Sequence, residues 1–141
     1  MAAGQIHGSR TLTEDVDIVY KDDSENVLRL VAYLESVDAH VKELWPNEGY
    51  ASDFSIERLL AEKSLTLGSR EGEIDVLHRI DGIGGYDDVF ASSEILTVDG
   101  RRARIITIDG LIVSKRAAQR PKDRLHVVEL EAIQELKAKD T

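Results

Sequence analysis

Hydrophobic and polar residues alternate along some stretches of this chain and follow the helical repeat along others. Between Glu14 and Tyr20, apolar Val16, Ile18 and Tyr20 alternate with other residues, which is the period of a β-strand. Over residues 24–38, apolar residues recur every three or four positions, which predicts an amphipathic helix. The first half of the pattern therefore begins with a strand and then a helix.

Shorter runs predict the remaining elements, and two local signals separate them. Asp99-Gly100 is typical of a tight hairpin turn, and Arg120-Pro121 interrupts a helical pattern. Mixed hairpins and helices without strict alternation predict an α+β class, or a mixed α/β two-layer domain, in one domain over residues 1–141. In chain order the runs are a short helix at 52–61, hairpin strands at 64–68 and 73–77, a flexible glycine connection at 82–85, a helical turn at 86–91, hairpin strands at 94–98 and 101–106, a helix capped by Asp109 to about residue 118, and a last helix at 122–139.

The composition limits the classes of protein to consider. The 141 residues suit one domain, and 42% hydrophobic residues can fill its core. No apolar run approaches the roughly 18 residues of a membrane span, and the N-terminus lacks signal-peptide features. With no cysteine, thiolate zinc sites, disulfides and cysteine nucleophiles are excluded. We therefore expect a soluble, cytoplasmic protein whose chemistry uses oxygen and nitrogen groups.

Charge is distributed unevenly. The net charge is −9, yet residues 100–124 hold eight basic residues against two acidic ones. An acidic total argues against a general nucleic-acid coat. The uneven distribution suits a site in which acids hold a metal and basic residues meet phosphates, and it equally suits a solvated basic helix face.

Three acidic residues are the first candidates for chemistry. Asp15 and Asp17 lie two apart on a strand, so their carboxylates project from one face and favour a hard cation such as Mg²⁺. Asp75 is an acid within an apolar strand, and it would complete a three-carboxylate site if the two strands are neighbours. One carboxylate could then act as a base toward an attacking hydroxyl. The alternatives are a solvated Asp-x-Asp and an Asp75 at a strand edge facing water.

Basic residues near the C-terminal helices are the second group of candidates. Lys115 supplies a point charge that suits a triphosphate. Arg120 and Lys122 flank Pro121 at a helix start, where backbone amides also favour anions. Any one of the three could equally be a surface residue that aids solubility.

Four motifs in this order resemble a known family. They are HGSRTLTEDVDIV from His7 to Val19, IDVL from Ile74 to Leu77, ITIDGLI from Ile106 to Ile112, and KRAAQRPKD from Lys115 to Asp123. The first resembles the His-Gly-x-x-Arg-x-Thr-x-Asp-x-Asp-hydrophobic signature of nucleotidyltransferase-fold proteins of the abortive-infection toxin type, within the DNA polymerase β-like superfamily. The resemblance spans nearly the whole chain, and it implies a mixed β-sheet with helices packed on it.

The resemblance implies metal-dependent transfer of a nucleoside monophosphate from a nucleoside triphosphate to a hydroxyl on protein or RNA, in a prokaryotic toxin–antitoxin setting. Asp15, Asp17 and Asp75 would be the metal ligands and catalytic acids. Lys115, Arg120 and Lys122 would face phosphate, with Arg10 at the rim of the site, and Mg²⁺ and a nucleoside triphosphate would be cofactor and substrate.

The chain also departs from the family pattern. The family has a first strand followed by Gly-Gly or Gly-Ser about a dozen residues before the Asp-x-Asp, and we expect this domain to lack that strand. His126 stands where relatives often carry an acid. The alternative is therefore a catalytically inactive protein of this fold that binds a partner protein, either an antitoxin or a target, or that forms a homodimer. A third interpretation is an ordinary acidic α+β domain, which predicts that Asp75 lies far from Asp15 and Asp17.

Overall fold

The computed structural model describes residues 15–41 and 64–140. They fall into two compact units, an N-terminal unit within Glu14–His78 and a C-terminal unit within Arg79–Thr141. Helices and strands occur in both units, and the class is α+β, as the pattern predicts. That the chain forms one domain stays a prediction.

The elements of the N-terminal unit follow the alternation and helical repeat of the sequence. Its described elements are β1 (Asp15–Val19), α1 (Ser24–Ser36), β2 (His40–Val41), β3 (Ser64–Gly68) and β4 (Glu73–Leu77). The helix begins where Asp23 accepts a hydrogen bond from the Asn26 amide at 2.8 Å, and it ends two residues before the predicted end. The predicted helix at 52–61 lies outside the described residues.

The four strands form one mixed sheet in the order β1-β4-β3-β2. β3 and β4 are the predicted antiparallel hairpin, whereas β1 and β4 are parallel. One face of the sheet packs against α1 because the apolar residues of its strands alternate onto that face. The buried core residues of this unit are Tyr20, Val27, Leu34, Val37, Ala39, Val41, Leu65, Leu67, Ile74 and Val76.

The C-terminal unit joins two small ribbons to three helices in the described residues. Its elements are β5 (Arg79–Ile80), β6 (Gly84–Gly85), α2 (Tyr86–Ala91), β7 (Ser93–Val98), β8 (Arg101–Ile106), α3 (Ile108–Ala118) and α4 (Pro121–Lys139). β5 pairs with β6, and β7 pairs with β8, both antiparallel. The small core between α3 and α4 contains Leu111, Ile112, Val127 and Leu130.

Local chemistry explains the turns and helix ends of this unit. Asp99 and Gly100 both have positive φ, 50° and 77°, which is the turn that closes a two-residue hairpin and confirms the predicted one. The cap predicted at Asp109 is wrong: the hydroxyl of Thr107 accepts from the Gly110 amide at 3.1 Å, and Asp109 lies in the first turn.

The glycine connection is also more ordered than the sequence predicts. Gly84 and Gly85 pair with the two residues of β5 instead of forming only a loop. Pro121 occupies the first turn of α4, where its missing amide hydrogen costs no helical hydrogen bond. Among the helices of the described ranges, none has the length and apolar character that crossing a bilayer requires.

Candidate metal centre

The parallel pairing of β1 and β4 determines which acids are neighbours. Asp17 is the Cα partner of Asp75, and Asp15 is the partner of Glu73. Paired residues of adjacent strands project from the same face of a sheet. Asp75 therefore lies beside the Asp-x-Asp strand, which is the condition that the three-carboxylate hypothesis required and which the third interpretation excluded.

The two faces of this strand pair have opposite character. Ile74 and Val76 are buried in the core, together with their β3 partners Leu67 and Leu65. The alternate positions, Glu73 and Asp75, are partly buried on the other face. Because the apolar residues must face α1, the strand period forces the acids together on the opposite side.

Three carboxylates converge on this face, and we call them the acidic cluster: Asp15, Glu73 and Asp75. One ligand oxygen from each lies within 4.8 Å of the others. Asp17, predicted as a ligand, is exposed and is not part of the converging set. Glu73 is not among the ligands that the sequence predicts, although its two-residue spacing from Asp75 places both side chains on one face of the strand.

Asp75 carries the feature that distinguishes this cluster from solvated acids. Its Oδ1 is buried and has no hydrogen-bond partner among residues 15–41 and 64–140. A buried carboxylate oxygen without a donor loses hydration without compensation, and a bound cation supplies the missing interaction. Oxygen donors at this spacing are the ligands that Mg²⁺ and Ca²⁺ accept, so the residues fit a divalent cation.

The C-terminal unit holds a second acid in a different environment. Asp123 is only 1% exposed, yet two cations reach it. The Nζ of Lys115 lies 3.4 Å from its Oδ1, and the Nε of Arg120 donates to its Oδ2 at 2.6 Å. Two of the three residues predicted to face phosphate, Lys115 and Arg120, therefore have a carboxylate partner within their own unit.

These contacts determine how the groups ionise. Burial disfavours the Asp123 carboxylate, but the hydrogen bond from Arg120 and the charges of Lys115 and Arg120 outweigh burial and hold its pKa below the usual value. For His126, burial and the Lys115 charge lower the pKa of the imidazole, against the opposing charges of Glu129 and Asp123. Asp123 is therefore a structural anion that sequence reasoning missed, and its only signal was an acid in the first turn after Pro121.

The remaining predicted residues are Lys122 and Arg10. Lys122 is exposed and makes no ion pair in the part of the chain that the structure describes. Arg10 lies outside the described residues. A phosphate role for Lys115, Arg120, Lys122 and Arg10 stays a prediction.

Comparison with known proteins adds no identification. No protein-family model matches the chain, and no curated protein matches it. Only the residues and the geometry of the acidic cluster therefore indicate a function.

Proposed function

We propose that the acidic cluster binds a divalent cation, Mg²⁺, and that the protein is a nucleotidyltransferase of the DNA polymerase β-like fold. The observation that carries the proposal is the convergence of Asp15, Glu73 and Asp75 around a buried Asp75 oxygen that has no donor among the described residues. When bound, the cation would neutralise phosphate charge and orient it for displacement.

The proposed reaction moves a nucleoside monophosphate from a nucleoside triphosphate to a hydroxyl of a protein or an RNA. A bond forms between the hydroxyl oxygen and the α-phosphorus, the bond from that phosphorus to the bridging oxygen breaks, and pyrophosphate leaves. The hydroxyl proton passes to a carboxylate on the acidic face. Asp17 lies on this face, opposite Asp75 in the register, so it belongs to the proposed site although it is outside the converging set.

The experiment is calorimetric titration with Mg²⁺, followed by each of the four ribonucleoside triphosphates in the presence of Mg²⁺. Asp75→Asn should lose cation binding because it removes the negative charge of the Asp75 carboxylate, which contains the buried Oδ1. Glu35→Gln is the matched control, since Glu35 is an exposed acid on α1 outside the cluster. Equal cation affinity in the wild type and Asp75→Asn would overturn the proposal.

Nucleotide binding separates the metal site from the transferase activity. Lys122→Gln is the most direct test of the predicted phosphate role, because Lys122 has no ion pair in the described ranges to lose. We expect it to weaken triphosphate binding and leave cation binding unchanged. Cation binding without any nucleotide response would retain the metal site and overturn the transferase.

A second candidate is a catalytically inactive protein of this fold that works as a binding partner or homodimer, as in a toxin–antitoxin complex. The observation that favours it is an apolar stripe on α4: Leu125, Val128 and Leu136 share one helix face and are 77%, 65% and 63% exposed. This candidate predicts that sedimentation shows association, that Leu125→Glu abolishes it, and that an Asp15 and Asp17 double variant retains it.

A further inference from the structure

The basic segment at residues 100–124 divides into two groups in the structure. Lys115 and Arg120 pair with Asp123, and Arg116 pairs with Glu131. These three cations are neutralised within the C-terminal unit. The remaining five make no ion pair within the described ranges: Arg101, Arg102, Arg104, Lys122 and Arg124.

Three of those five residues, Arg101, Arg102 and Arg104, lie on one strand of an exposed ribbon. We call the β7–β8 hairpin the arginine ribbon. Its register pairs Ile95 with Arg104 and Thr97 with Arg102, so these four side chains share one face. All four are exposed, and none is acidic. The opposite face holds Arg101 together with the acid Glu94, so the positive charge is concentrated on the first face.

An aromatic ring extends this face at its base. The guanidinium carbon of Arg104 lies 4.0 Å from the ring centroid of Phe90, and Phe90 is 46% exposed. Arg104 also donates from Nη1 to the Ser93 hydroxyl at 3.2 Å. These contacts orient the guanidinium plane while the ring keeps exposed surface. An oriented guanidinium can bind a phosphate, and an exposed ring beside it can stack on the unstacked base next to that phosphate.

The ribbon also exposes backbone groups. No third strand pairs with β7 or β8 among the described residues. In a two-stranded ribbon, alternate N–H and C=O groups point away from the partner strand. An RNA backbone can satisfy both kinds of group, because its phosphates accept and its 2′-hydroxyls donate hydrogen bonds, whereas a DNA backbone only accepts.

We propose that the Arg102 and Arg104 face of the arginine ribbon, with Phe90, binds single-stranded RNA. The inference does not rest on the proposed function, because it uses no residue of the acidic cluster. Arg102 and Arg104 contact phosphates, and Phe90 stacks on a base.

The test is fluorescence anisotropy with a labelled single-stranded RNA of about 12 nucleotides and the DNA of the same sequence. The buffer contains EDTA and no nucleotide, and salt is varied from about 50 to about 200 mM. Arg102→Glu should weaken RNA binding about tenfold and reduce the salt dependence, because it removes one phosphate contact and adds repulsion. Phe90→Ala should weaken it by a factor of about five to a hundred by removing one stacking contact.

Two variants keep the test informative. Arg101→Glu is the matched control, since it makes the same charge change on the opposite face and should weaken binding clearly less. Arg104→Lys keeps the positive charge but loses the planar guanidinium. We expect it to bind RNA more weakly with an unchanged salt dependence, which would show that the ribbon is still folded.

Several results would overturn the inference: no RNA binding, DNA binding as tight as RNA binding, equal loss in Arg101→Glu and Arg102→Glu, or a change in oligomeric state in Arg102→Glu that shows a second copy on this face. Asp75→Asn should bind RNA normally. Loss of cation binding in that variant with intact RNA binding separates the two proposals.

Discussion

Asp75 and Asp123 are two acids withdrawn from solvent, and their environments are opposite. Asp123 has two cations within 3.4 Å, and both of its oxygens have a partner. Asp75 has a carboxylate neighbour on each strand of its pair and a buried oxygen without a donor in the described residues. Within the described residues, two cations therefore compensate the Asp123 carboxylate, whereas the buried Oδ1 of Asp75 has no donor.

The difference indicates which acid serves stability and which serves binding. A buried charge that is paired within the fold needs no ligand from outside. Removing one partner of such a pair should therefore lower the free energy of unfolding. Crowded like charges cost stability and are relieved by a cation from outside. The two acids should therefore respond in opposite directions to the loss of a neighbour or of their own charge.

The largest expected effect is at Lys115. Lys115→Met keeps most of the side-chain volume but leaves buried Asp123 with Arg120 alone. We expect the free energy of unfolding to fall by about 2 to 3 kcal/mol, below the full cost of an isolated buried charge because Arg120 remains. Urea denaturation at neutral pH measures the change.

A double variant shows whether the loss comes from the buried charge of Asp123, which no longer has Lys115 as a partner. Lys115→Met combined with Asp123→Leu should recover much of the lost stability, since no unpaired carboxylate remains. Additive losses in the double variant, or a loss below about 0.5 kcal/mol in Lys115→Met, would contradict a structural role for the pair.

Acid pH should weaken the same interaction. The pKa of Asp123 is lowered in the folded state, so its stabilisation is present above the unfolded pKa of about 3.9 and is lost as pH falls through the folded value. We expect wild type to exceed Asp123→Asn in free energy of unfolding by about 1 to 2 kcal/mol at neutral pH. The gap should close below about pH 4. A gap that stays constant to pH 3 or so would refute the ionised form as the stabilising one.

The hydrophobic pattern predicted most of the fold because the period of each run determines which residues are buried. The strand at β1, the helix at α1 and the Asp99-Gly100 hairpin follow directly from local spacing. The helix cap was predicted wrongly because Thr107 and Asp109 are both good capping residues. Only the structure shows that the Thr107 hydroxyl, and not the Asp109 carboxylate, accepts from the Gly110 amide.

The candidate site was harder to predict because it depends on register between distant strands. Spacing placed Asp15 and Asp17 on one face, but the pairing of β1 with β4 decides that Glu73 joins the cluster. The pairing of Lys115 with Asp123 likewise depends on how α3 packs on α4, whereas Arg120 and Asp123 form a local pair three residues apart at the start of α4. A charged residue in a sequence does not show whether its partner is inside the protein or outside it.

The hydrogen-bonded pair of Tyr20 and His78 provides a reference between the two acids. The hydroxyl of Tyr20 and Nε2 of His78 are 2.7 Å apart, and Tyr20 is buried in the N-terminal core. Tyr20→Phe keeps the ring and removes this hydrogen bond, so we expect a loss of about 1 kcal/mol by urea denaturation at neutral pH. That value should lie below the loss in Lys115→Met.

The same pair responds to alkaline pH. Burial, together with the charge of Asp22, raises the pKa of Tyr20 to about 12. An unfolded tyrosine ionises near 10, so the stabilisation is complete below about pH 10 and is lost as pH rises toward 12. Wild type should therefore lose stability faster than Tyr20→Phe above pH 10 or so. Parallel pH profiles for the two proteins would count against the buried phenol.

The smallest effect, and the one of opposite sign, is expected at Asp75. Asp75→Asn removes one charge from a face where Asp17 and Glu73 are near neighbours, and its amide nitrogen adds a hydrogen-bond donor. We expect the metal-free protein to gain roughly 0.5 kcal/mol in free energy of unfolding, within the range of like-charge strand pairs. Urea denaturation in EDTA measures the gain.

Added Mg²⁺ should then stabilise wild type and leave Asp75→Asn unchanged, because only a folded site that binds the cation shifts the unfolding equilibrium. A loss of stability in Asp75→Asn comparable to that in Lys115→Met would mean that both acids are structural, and the contrast between the two regions would no longer hold.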